Sequence, residues 1–142
     1  MRKTGLILLL IFLMVPFSCG KKEVKPPSLE SKTAQEAFAL SESIREAFIK
    51  SDSDTLIKDS TENGFKEITS GSKSYESVEL EFTPRWVDIE QTQVMVNIAW
   101  KSKWTLKGKQ VEDRGMAVFV MEGKPLKLAK ILRTNPFVVP EQ

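Results

Sequence analysis

The feature that most restricts how this chain can fold is a change of hydrophobic period near residue 75. Before it, apolar residues recur every three or four positions; after it, they alternate. In TAQEAFALSESIREAFIKSD, beginning at Thr33, the residues Ala34, Ala37, Phe38, Ser41, Ile44, Phe48 and Ile49 form one helical stripe. Thr33 and Glu36 have the spacing of a capping box. Ser51 to Ser53 closes this helix, and Asp52 or Ser53 can cap a short second one, Ser53 to Lys58. Glu62 to Ser70 predicts a third helix with Phe65 and Ile68 inward, broken by Gly71.

The alternating half predicts four strands. In Tyr75 to Ile89, Val78, Leu80 and Phe82 share a face; Pro84 interrupts, which places this strand at a sheet edge. Gln93 to Leu106 sets Val94, Val96, Ile98, Trp100, Trp104 and Leu106 on one face and Asn97, Lys101 and Lys103 on the other. After a Lys107-Gly108-Lys109 turn, Gln110 to Met121 divides Ala117 and Phe119 from Met116, Val118 and Val120. Glu122 to Pro125 turns the chain again, into Leu126 to Arg133, where Leu126, Leu128 and Leu132 alternate with Lys127 and Arg133. Amphipathic helices need a surface to cover, and a meander follows them directly. The expected fold class is therefore α+β: N-terminal helices packed on a curved, four-stranded antiparallel meander sheet.

Two stretches carry a resemblance. "EDRGMAVFVMEGKPLKLAKI" resembles the closing strands, and "RTNPF", Arg133 to Phe137, the Asn-Pro-Phe ending, of the nuclear-transport-factor-2-like fold. That fold is a conical roll also used by ketosteroid isomerases and polyketide cyclases. The likeness spans Thr33 to Phe137. It implies a pocket between sheet and helices, and a sheet face or cone mouth able to hold a protein partner, a second copy or a small molecule.

The residues offer such a pocket little chemistry. With no histidine in the chain, acid–base work near neutral pH would fall to a perturbed carboxylate, tyrosine or lysine. The candidates are Tyr75, the sole tyrosine, with Asp88 or Asp113; Glu90 and Glu112 also lie on or beside strands. A buried Asp beside a tyrosine could enolise a ketone, the runner-up to a non-catalytic binding or scaffold domain in the cell envelope. Trp100 and Trp104 of "WKSKW", with Trp86 as a third wall, could instead form an aromatic floor for a ligand, although large aromatics on an inner face ordinarily serve as core. No phosphate loop, nucleophile elbow or metal-ligand spacing is present, so neither cofactor nor metal is expected.

Ahead of the domain, MRKTGLILLLIFLMVPFSCG joins Arg2 and Lys3 to an apolar run, Leu6 to Val15, with small Ser18 and Gly20 at its exit. The run suits an export signal and is short of the roughly 20 residues needed to span a bilayer. The segment resembles a bacterial lipoprotein signal, cut just before a cysteine that is then acylated: here Cys19, the single cysteine of the chain. Two other readings stand beside it. Cleavage after Gly20 would discard Cys19, or the thiol is incidental to the signal. Lysines and arginines number 21 and acids nineteen; with Arg2 and Lys3 removed the charges balance, which points away from nucleic acid. The expected organisation is a signal peptide over 1–18, a lipidated cysteine and extended linker over 19–32, the α+β domain over 33–138 and a tail over 139–142. The membrane would be met through the lipid alone. Gly20 brings no acidic retention signal, so the resemblance implies the outer membrane, with the domain facing the periplasm.

Overall fold

A computed structural model describes residues 25–71 and 74–141. The signal segment and Cys19 lie outside the described residues. Three helices, α1 (Leu29–Ile49), α2 (Ser53–Asp59) and α3 (Glu62–Thr69), precede four strands, β1 (Ser77–Ile89), β2 (Val94–Leu106), β3 (Lys109–Glu122) and β4 (Lys127–Arg133). The strands pair antiparallel in the order β1-β2-β3-β4, the meander that the alternating half predicts.

Each helix begins at a polar cap. Ser28 accepts from Ser31 N, Asp52 from Thr55 N and Thr61 from Gly64 N. The first of these corrects the sequence reading, which started α1 at Thr33. The helix starts four residues earlier, so the extended linker ends at Ser28. Thr33 Oγ1 donates back to Leu29 O, and Glu36, expected to complete a capping box, instead accepts the backbone N–H of Leu126 at 2.9 Å. The chain's other end also belongs to the core: Val139, assigned to a tail, is 2% exposed.

Helices and sheet enclose one core in which Ile44, Ile68, Ile98, Trp104, Phe119, Met121 and Leu128 are fully buried. Two β-bulges decide which strand residues reach it. Arg85 has no partner between Pro84↔Ile98 and Trp86↔Asn97, and Ala129 has none between Val120↔Lys130 and Met121↔Leu128. An extra residue reverses the alternation beyond it. Trp86 therefore lies on the outer face, opposite Phe82, and Leu132 is outside while Leu128 and Ile131 are inside. The predicted Leu126–Leu128–Leu132 face is corrected accordingly.

Groups from the helices and their caps take up backbone positions on both sheet edges. On β1, Arg45 Nη1 donates to Leu80 O at 2.8 Å, and Pro84 with the bulge at Arg85 interrupts the donors beyond. On β4, Thr61 N donates to Leu128 O (2.9 Å), Asn63 Nδ2 to Ala129 O (2.9 Å), and Glu67 Oε2 accepts Ile131 N (3.3 Å). The close seat of α3 requires Gly64, where a Cβ would stand 2.0 Å from Leu128 O.

Candidate functional site

The sequence candidates divide between the two faces of the sheet. Tyr75 is half-buried inside, its ring 4.9 Å from Trp104 in an edge-on contact and 6.3 Å from Phe48. Burial raises its pKa above the ordinary tyrosine value. Asp88 lies at the other end of β1, roughly 35 Å along the strand, exposed and on the outer face beside Met95. Asp113 pairs across from Ser102, and its Oδ1 accepts the backbone N–H of Arg114 at 2.8 Å. The structure does not bring these three groups together, and among the described residues no hydrogen bond joins any two of them. Glu90 accepts from Gln93 Nε2 in the β1–β2 turn (2.8 Å), and Glu112 lies 3.8 Å from Lys103.

The tryptophans do not form one floor. Trp100 is 3% exposed and donates to Thr134 O at 3.2 Å, its indole lying over Gly115; Trp104 is fully buried and donates to Ser102 Oγ at 2.9 Å. Both indoles are core with their N–H groups satisfied. Trp86 is 49% exposed on the opposite face. The space between helices and sheet, where the resemblance implies a pocket, is packed with aromatic rings. Phe137 lies 4.8 Å from Phe48 and 6.0 Å from both Phe82 and Phe119.

The outer face is where exposed groups collect. The register draws straight rows across it. Trp86–Asn97–Val118–Leu132 is the central row, with Asp88–Met95–Val120–Lys130 on one side and Thr83–Ala99–Met116 on the other. Beyond these come Glu81–Lys101–Arg114 and Glu79–Lys103–Glu112. One half of the face is thus apolar, with Trp86 and Leu132 exposed at its sides, and the other half carries both charges around a trough of about 560 Å³. Asn97, expected with Lys101 and Lys103 on an exposed polar face that is either a partner surface or simply solvated, is 5% exposed between its apolar neighbours. The sequence reading missed the band because β3 looked like a strand with two equivalent sides. The apolar Met116, Val118 and Val120 were the available clue.

A second groove, about 680 Å³, runs between the start of α1 and the β1–β2 and β3–β4 turns, lined by Leu29, Glu36, Ile89, Gln93, Lys124 and Leu126 among others. Its charged groups are Glu36, Glu90 and Lys124. Among the described residues, no cluster of three metal-ligating side chains occurs, and no helix is long and apolar enough to cross a membrane.

No protein-family model, curated protein or solved structure matches the chain.

Proposed function

We propose that this chain is an exported protein, tethered to a membrane by lipid on Cys19, whose α+β domain works by binding through the outer face of its sheet rather than by catalysis. The helix-then-meander order and the Asn135-Pro136-Phe137 tail support a nuclear-transport-factor-2-like domain. The tether rests on the sequence: positive start, short apolar run, then a lone cysteine. Several acyl chains, at about 0.8 kcal/mol per buried methylene, hold such a domain firmly where one holds it marginally. The proposed location is the outer membrane, periplasmic side.

The observation that carries the binding reading is the outer face. An apolar band rimmed by charged rows lies there on the sheet, whereas the interior is packed and Tyr75, Asp88 and Asp113 are not brought together. Interfaces are anchored by exposed aromatics such as Trp86.

Two measurements test the reading. The intact mass of the protein purified from its own membranes should show a chain starting at Cys19 and heavier by several acyl groups; a chain starting at Lys21 without added mass overturns the tether. A photo-crosslinking residue at Trp86 in the same membranes should capture a protein, while one at Lys66 on α3 should not. Equal or absent capture at both positions overturns the binding face.

A further inference from the structure

We infer that the end of the domain bearing the second groove rests on the membrane surface, with Leu29 and Ile89 set among the lipid headgroups. This rests on the proposed lipid tether at Cys19, and not on the outer face being the binding surface. Leu29 lines the groove from the start of α1, and Ile89 lines it from the end of β1. Leu29 is 81% exposed and Ile89 39%. A single wet apolar residue is ordinary. Two that line one groove, at the end of the domain where the chain arrives from its anchor, make a surface suited to an apolar layer.

Chain length fixes what lies near this end. Cys19 precedes the cap Ser28 by nine positions, a reach of at most about 30 Å. The start of α1 therefore stays within that distance of the bilayer however the domain tilts, and Pro26-Pro27 stiffens the approach. A tether this short makes the second contact intramolecular. Two apolar side chains can then hold an orientation that would not retain a free domain.

The charges of this end agree. Both groove carboxylates are engaged within the chain: Glu36 Oε1 accepts Leu126 N at 2.9 Å, and Glu90 Oε2 accepts from Gln93 Nε2 at 2.8 Å. Lys25 and Lys124 are exposed. Among the described residues neither makes an ion pair, so their ammonium groups can reach lipid phosphates. The far end of the sheet differs. Its turn, Lys107-Gly108-Lys109 followed by Gln110, is exposed and carries no apolar side chain. The strand β2 is 13 residues long, so that turn stands about 40 Å from the groove end. With the groove end down, the strands rise from the membrane and the outer face looks along the membrane rather than into it.

The test uses the full-length protein, purified from its own membranes and reconstituted into phosphatidylethanolamine–phosphatidylglycerol vesicles. Single substitutions Leu29→Cys, Ile89→Cys and Lys109→Cys each take an environment-sensitive fluorophore, and wild type labelled in parallel gives the background from Cys19. The labels at 29 and 89 should emit blue-shifted. Nitroxide lipids labelled at headgroup level should quench them several times more strongly than the label at 109. A further variant joins Leu29→Asp and Ile89→Asp to a label at Gln91→Cys, in the β1–β2 turn. An acid suits the first turn of α1, so circular dichroism should show the fold kept while quenching at 91 falls to the level at 109. Vesicle flotation and intact mass separate the two levels. A chain that floats and carries acyl groups, yet is quenched equally at 29, 89 and 109, overturns the inference while the tether stands. Quenching at 91 that survives both acidic substitutions does the same. A chain that carries no acyl groups and does not float removes the tether, and the inference with it.

Discussion

Asn135 donates from Nδ2 to Glu67 O at 2.8 Å and accepts Phe137 N through Oδ1 at 2.9 Å, so one half-buried side chain ties the end of α3 to the chain's closing turn. That turn delivers Phe137 to the centre of the aromatic cluster. Asn135→Ala should cost about 1–3 kcal/mol, since both groups lose their partner in a partly dry site; denaturant unfolding reads it. Gly64→Ala should cost about 2–3 kcal/mol by a different route. Its Cβ meets a backbone carbonyl, so α3 must lift from β4. Tyr75 supplies a pH test with a defined sign. Burial raises its folded pKa, so the unfolded chain releases the phenolic proton first. The associated stability is full below the unfolded value near 10 and is lost as pH rises through the folded value. Tyr75→Phe should remove that part of the alkaline decline. With one tyrosine in the chain, phenolate absorbance reports its titration directly.

At the scale of elements, the helices and hairpins are set by local chemistry that a single change can weaken or improve. Ser28→Ala should cost about 1 kcal/mol and fray the first turn of α1. The amide of Lys32, which donates to Ser28 O, should then exchange faster with solvent while amides near Ile44 keep their protection. The β2–β3 hairpin turns through Lys107 and Gly108, both at positive φ (48° and 75°), the geometry that favours Asn-Gly. Lys107→Asn should accordingly stabilise the protein by roughly 0.5 kcal/mol, seen as a raised Tm. The strands were legible because their alternation is long, and the turns because Gly108 and Gly123 punctuate them. The bulges were not legible. Nothing about Arg85 or Ala129 as residues demands an extra position; each exists because the neighbouring strand must stay in register.

At the scale of the molecule, the three tryptophans report separately on core and surface. Trp100 and Trp104 are buried and Trp86 is half exposed. A soluble quencher should reach only Trp86, and Trp86→Phe should remove most of the quenchable emission and leave a blue-shifted remainder.

The order of elements, the α+β class and most inward-facing residues follow from the sequence alone, because side-chain period and polar caps act over a few residues. Ile44, Ile68, Ile98 and Phe119 are buried where their spacing puts them. The proposed export and lipid tether rest likewise on local sequence alone, in residues outside those the structure describes. What needed the tertiary structure was the assignment of Trp86, Leu132 and Asn97 to their surroundings. A strand residue's side is a cumulative property of every pairing before it, so one bulge at Arg85 moves Trp86 from an imagined ligand floor to the outer face. The apolar band exists only once four strands, drawn from separate stretches of the chain, are laid side by side in register.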